Sequence, residues 1–92
     1  MRNDYEEILK QLFCKRLFDV RTMAWNITQE EMAQKLSMAP RSYADLEHGI
    51  NGCSAVTLTL FLVFVCPDPQ EFLEELRDAF DPLGYNSIVE YT

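Results

Sequence analysis

The sequence predicts an all-α domain of five helices. Apolar residues recur at spacings of three and four through most of the chain. Capping residues and prolines fall where such runs begin: Thr28, Pro40, Ser54, Asp68 and Pro69. One segment could suit a strand, but nothing elsewhere in the chain could serve as its partner.

The first helix starts near Asn3 or Asp4, each a candidate N-cap. Ile8, Leu9, Leu12, Phe13, Leu17, Val20 and Ala24 mark its apolar face, and the pattern fades at Trp25-Asn26. The second helix opens on Thr28-Gln29-Glu30-Glu31, a capping box in which Thr28 and Glu31 satisfy each other's backbone N–H groups. Ile27 and Met32 flank it as a hydrophobic staple, and Met32, Ala33 and Leu36 face inward until the helix stops around Ser37. The third helix begins at Pro40, where a missing N–H costs nothing, and reaches about His48 before Gly49 ends it. Tyr43 and Leu46 form its inward stripe.

After the loop Ile50-Asn51-Gly52-Cys53, Ser54 caps the segment AVTLTLFLVFVC. This segment is apolar on every side and reads as a helix that needs cover all round, more than so short a domain supplies alone. In the fifth helix Asp68 is the cap, Pro69 the first residue and Glu71 the reciprocal capping acid. Phe72, Leu73, Leu76 and Phe80 are its buried stripe, and Glu71, Glu74, Glu75 and Asp78 its outer face. Asp81-Pro82 breaks it, leaving a tail with apolar Tyr85, Ile88, Val89 and Tyr91.

Composition excludes several classes. Ninety-two residues at 48% apolar and 25% charged make one globular domain. No stretch reaches the ~18 apolar residues of a membrane span. The opening MRNDYEEILKQL has acids and no apolar h-region, so no signal peptide is read and a cytoplasmic location is expected. Cys14, Cys53 and Cys66 are odd in number and lack a C-x-x-C pair, which suits small buried thiols in a reducing compartment. A lone His48 with scattered thiols makes no metal site. Neither a G-x-S-x-G nor an H-E-x-x-H motif is present, so no catalytic residue, cofactor or small-molecule substrate is implied.

The net charge is −7, and its placement matters. Residues 1–26 carry five bases against four acids, residues 27–66 two against four, and residues 67–92 one against seven. The front of the chain is close to neutral, so a nucleic-acid-facing surface there is compatible with the acidic total. Few bases are available to release counterions, which predicts weak non-specific binding.

The stretch QEEMAQKLSMAPRSYADLEHG, Gln29 to Gly49, is the most informative. Two short helices joined by so tight a turn cross steeply only with a small residue at their contact, and Ala33 supplies it. Gln29, Ala four residues later, Met38 after the turn, Tyr43, Leu46, Glu47 and Gly49 resemble the helix-turn-helix of the lambda repressor and Cro (XRE) family. The resemblance extends to the five-helix plan. It implies a lambda-repressor-like DNA-binding domain over residues 1–80. Within it the motif lies at about 28–48, the following helices at 54–66 and 69–80, and the tail at 81–92.

That resemblance implies double-stranded DNA as the partner, with the second motif helix in the major groove. It places Pro40, Arg41, Ser42, Ala44 and Asp45 at or near base edges, Arg41 being suited to bidentate contact with guanine. Gln29 and the helix start behind it imply a phosphate contact, and Asn51, with Gly52 and Ser54, offers others. Arg21 is expected to pair with Glu47. Homodimerisation is expected through residues 55–66 and 72–80, so that two half-sites are read together. Ser37 stands where many family members have glycine, Ala39 where they have a capping Ser or Thr, and Asp45 and Glu47 make the helix acidic. These departures keep a second class open: a helix-turn-helix module that binds a protein, as an adaptor or antitoxin-like partner, with weak or no DNA binding.

Overall fold

The computed structural model describes residues 2–84. All regular elements among them are helical. Helix α1 spans Arg2–Asp19 and continues as a wider turn over Val20–Trp25. Helix α2 spans Gln29–Lys35, α3 Pro40–Glu47, and α4 Ala55–Leu60, continued as a wide turn over Phe61–Val65. Helix α5 spans Pro69–Phe80 and ends in a 3-10 turn, Asp81–Leu83.

Most ends follow the local chemistry of the sequence. The Thr28 side chain accepts from the Glu31 N–H while the Glu31 carboxylate accepts from the Thr28 N–H, both at 3.1 Å. Asn26 closes α1 in the left-handed conformation at φ 51°, and Gly49 does the same for α3 at φ 73°. A Cβ at Gly49 would also stand 3.2 Å from the Cys14 sulfur, so glycine answers both a backbone and a packing demand there. Ser54 accepts from the Thr57 N–H at 3.1 Å and starts α4.

Four local expectations are corrected. Leu73, expected in the buried stripe of α5, is exposed because Phe72 and Leu76 take the core-facing positions of that helix, and Ala24, expected on the apolar face of α1, is exposed because the wider turn over Val20–Trp25 departs from the 3.6-residue period. Asn3 and Asp4 lie inside the first turn of α1, which begins at Arg2, and do not cap it. Asp68 does accept from the Glu71 N–H, but the Glu71 carboxylate turns to Arg16, whose Nη1 is 3.2 Å away. A strong cation on α1 outcompetes the helix's own backbone for that carboxylate.

The core is an aromatic triad wrapped by aliphatics. Phe13, Phe61 and Phe72 are fully buried. The Phe13 and Phe61 rings meet edge to face at 5.1 Å, and Phe72 lies 6.0 Å from Phe13 and 5.9 Å from Phe61. Leu17, Met32, Ala33, Leu36, Tyr43 and Leu46 extend this core into the α2–α3 pair. Ala33 is buried at the crossing, and its carbonyl accepts from the Met38 N–H at 2.9 Å, which closes the turn. Ser37 takes the left-handed conformation in that turn at φ 54°.

The wide turns mark where α1 and α4 meet. The Cys66 N–H reaches the Phe61 carbonyl at 2.8 Å, five residues back, and the Asn26 N–H bonds the Arg21 carbonyl in the same register. The Trp25 indole N–H donates to the Val65 carbonyl at 2.8 Å and ties these two ends together. No helix among the described residues is long and apolar enough to cross a membrane. The tail residues Tyr85, Ile88, Val89 and Tyr91 lie outside the described residues.

Candidate functional site

The site is built on α3, whose inward face holds it in place. Tyr43, Leu46 and Glu47 are buried, and a buried carboxylate must be matched by donors. Arg21 supplies two of them: its Nε is 2.7 Å from Glu47 Oε2 and its Nη2 is 2.8 Å from Oε1. The Gln29 amide donates to Oε1 at 3.1 Å, and the Tyr43 hydroxyl donates to Oε2. Arg21 also donates through Nη1 to the Ile27 carbonyl at 3.0 Å, so its fork is shared between α3 and the α1–α2 link.

This cluster fixes the charges of its members. Burial pushes the Glu47 carboxyl up, but the bonds from Arg21, Tyr43 and Gln29 outweigh it and hold the group below the ordinary carboxylate value. Tyr43 is pushed well above its ordinary value by burial and by the adjacent Glu47 charge. The Glu47 bond raises Arg21 further. One carboxylate thus joins α1, α2 and α3, and α3 cannot rotate without stranding it.

The outward face of α3 is open. At 100° per residue, Arg41, Asp45 and His48 fall within about 60° of one another, opposite Tyr43 and Leu46. Pro40, Arg41, Ser42 and His48 are exposed, and Ala44 and Asp45 are half-buried. Pro40, Arg41, Ser42, Ala44 and Asp45 therefore occur together on one short helix with Arg41 and Asp45 outward.

Gln29 and Asn51 stand apart from that face. The half-buried Gln29 side chain spends its amide on Glu47, turned inward. Asn51 lines a surface depression with Asn3, Glu6, Glu7 and Lys10 of α1, where Glu6 pairs with Arg2 and Glu7 with Lys10. Ser54 is committed to capping α4. Lys35 lies over the Trp25 ring, 4.1 Å from its centroid, in a cation–π contact.

The sequence reading missed the Trp25 and Lys35 contacts and the Tyr43–Glu47 bond. The last had a signal: Tyr43 and Glu47 are four apart on an inward face, and a buried tyrosine hydroxyl seeks an acceptor. No group of three or more potential metal ligands gathers among the described residues.

A second surface lies on α4. Thr57, Phe61 and Val65 are buried, whereas Val56, Val63 and Phe64 are 68%, 63% and 72% exposed. Met23, Trp25 and Phe18 on α1 and Leu73 on α5 are exposed as well. Within residues 72–80, Phe72 and Leu76 are consumed by the core, which leaves Leu73 as that stretch's exposed large apolar side chain. Comparison with protein-family models, curated proteins and solved structures returns no match.

Proposed function

We propose that this chain is a sequence-specific DNA-binding transcriptional regulator of the lambda-repressor and Cro type. On this reading α2 and α3 are the helix-turn-helix and α3 enters the major groove. The observation that carries it is the division of α3 into two faces. Glu47 and Tyr43 anchor one face to α1 and α2, and the other presents Arg41, Ser42 and Asp45 outward from a rigid mount. Direct readout needs such a mount, because base-edge hydrogen bonds tolerate little rotation. Gln29 contributes through its place at the start of α2, its amide being engaged with Glu47.

The partner in this reading is double-stranded DNA, bound by a homodimer joined through the exposed side of α4. Val56, Val63 and Phe64, with Leu73 of α5, supply the apolar surface for it. A dimer doubles the contacts of a face whose outward base is Arg41 alone among lysines and arginines. The test is selection from a randomised duplex pool at low salt, followed by sequencing. Enrichment of a palindromic site is expected. Absence of enrichment by folded protein overturns the reading.

That negative outcome would favour a protein-interaction module. One observation points to it specifically: Asp45 and the cation-poor face stand against the large exposed apolar side chains of α4.

A further inference from the structure

Arg41 and Asp45 sit four residues apart on the outward side of α3. On a helix surface this spacing commonly yields an ion pair, yet here none forms. Among the described residues, neither side chain takes part in a hydrogen bond or an ion pair. Among the described residues, the outward side of α3 therefore presents a fork of donors without a partner and, one turn on, an acceptor without one.

Resting on the reading that α3 lies in the major groove, we infer that Arg41 and Asp45 form a two-residue reading pair for a guanine and a cytosine. Four residues advance about 6 Å along a helix axis. Bases stack at about 3.4 Å, so the two positions lie about two steps apart. The Arg41 guanidinium donates to guanine O6 and N7, and the Asp45 carboxylate accepts from the cytosine N4 amino group.

Asp45 acts chiefly by rejection. Opposite guanine or thymine the carboxylate meets acceptor atoms and is left desolvated without a proton. Adenine offers a donor at N6 but sets the N7 acceptor beside it. Only cytosine satisfies the carboxylate without that repulsion. The acidic balance of the chain fits this use, because a surface poor in cations gains little from phosphates and depends on matched bases.

The test compares wild type, Asp45→Ala and Asp45→Asn, each checked for folding by circular dichroism, on the selected site and its single-base variants. Wild type is expected to prefer cytosine at one position by about tenfold. Asp45→Ala should reduce that preference to near zero and leave the guanine position, two steps away, unchanged. Asp45→Asn should turn the preference toward adenine, whose N6 and N7 match an amide. An unaltered cytosine preference in both variants overturns the inference and leaves the DNA-binding reading standing. Loss of all binding by folded Asp45→Ala also overturns it, since the carboxylate would then serve affinity and not discrimination. Failure of folded wild type to enrich any site overturns both.

Discussion

The two ends of this molecule bury their chemistry in opposite ways. Around Glu47 a polar cluster is closed: the carboxylate is 93% withdrawn from solvent and meets donors from Arg21, Gln29 and Tyr43. Along α4 an apolar helix is left open, with Val63 and Phe64 more than half exposed although Phe61 and Val65 are buried. The polar end is complete within one chain. The apolar end leaves oil facing water, the usual mark of a surface that meets something else. Satisfaction of hydrogen bonds and burial of apolar area are separate demands: the cluster at Glu47 meets the first, and α4 leaves the second unmet.

Breaking the closed end should cost most. Glu47→Ala strips the acceptor from three donors and leaves Arg21 half-buried and unpaired, for an expected loss of about 3 kcal/mol. Urea unfolding followed by the fluorescence of Trp25, the sole tryptophan, measures it. A loss under about 0.5 kcal/mol, within the range of ordinary surface substitutions, would show that the cluster is not closed in solution.

Acid should attack the same point. The Glu47 carboxyl is held below its ordinary value in the folded chain, so its contribution is present above about pH 4.3, the unfolded value. It is lost as pH falls through the lower folded value. Stability of wild type should therefore drop more steeply below pH 4 than that of Glu47→Gln, as read from denaturation midpoints at stepped pH. Parallel curves for the two proteins would remove Glu47 as the cause.

The seam between the ends is a smaller target. Trp25→Phe leaves a smaller aromatic ring near Lys35 and deletes the N–H bonded to Val65, for a loss of about 1 kcal/mol. Amide exchange should then speed up at Cys66 and its neighbours before elsewhere.

At the open end, substitution should hardly touch folding. Phe64→Ser removes an exposed ring and should change monomer stability by less than about 0.5 kcal/mol. Sedimentation should show weaker self-association if that face joins two copies. The smallest effect belongs to the turn between α2 and α3. Ser37→Gly relieves a left-handed serine but loosens the unfolded chain, so a gain of at most about 0.5 kcal/mol is expected.

Much of this architecture was legible from local chemistry. The Thr28 capping box, Pro40, Gly49, Ser54 and Pro69 each act within a turn of their own position, so their effect can be read without knowing the fold. The inward stripe of α3 follows from helical periodicity alone, whereas on α5 periodicity puts Phe72 and Leu76 in the core but also Leu73, which is exposed. The choice of helix over strand for residues 55–65 rested on a global fact the sequence also contains, the lack of a partner strand.

Where two distant groups compete for one partner, sequence was not enough. Glu71 had a good local acceptor role and took Arg16 instead; Gln29 looked free at a helix start and went to Glu47. The pairing of Arg21 with Glu47 was suggested by resemblance, but its bidentate form and the added bond from Tyr43 appear only when three helices converge. The starts of α2, α3, α4 and α5 and the inward face of α3 are written in local sequence, because capping and helical period act within a turn or two. Which polar side chains are consumed inside, and which, like Arg41 and Asp45, have no partner among the described residues, depends on what packing brings within hydrogen-bond reach, and that is set by the tertiary arrangement.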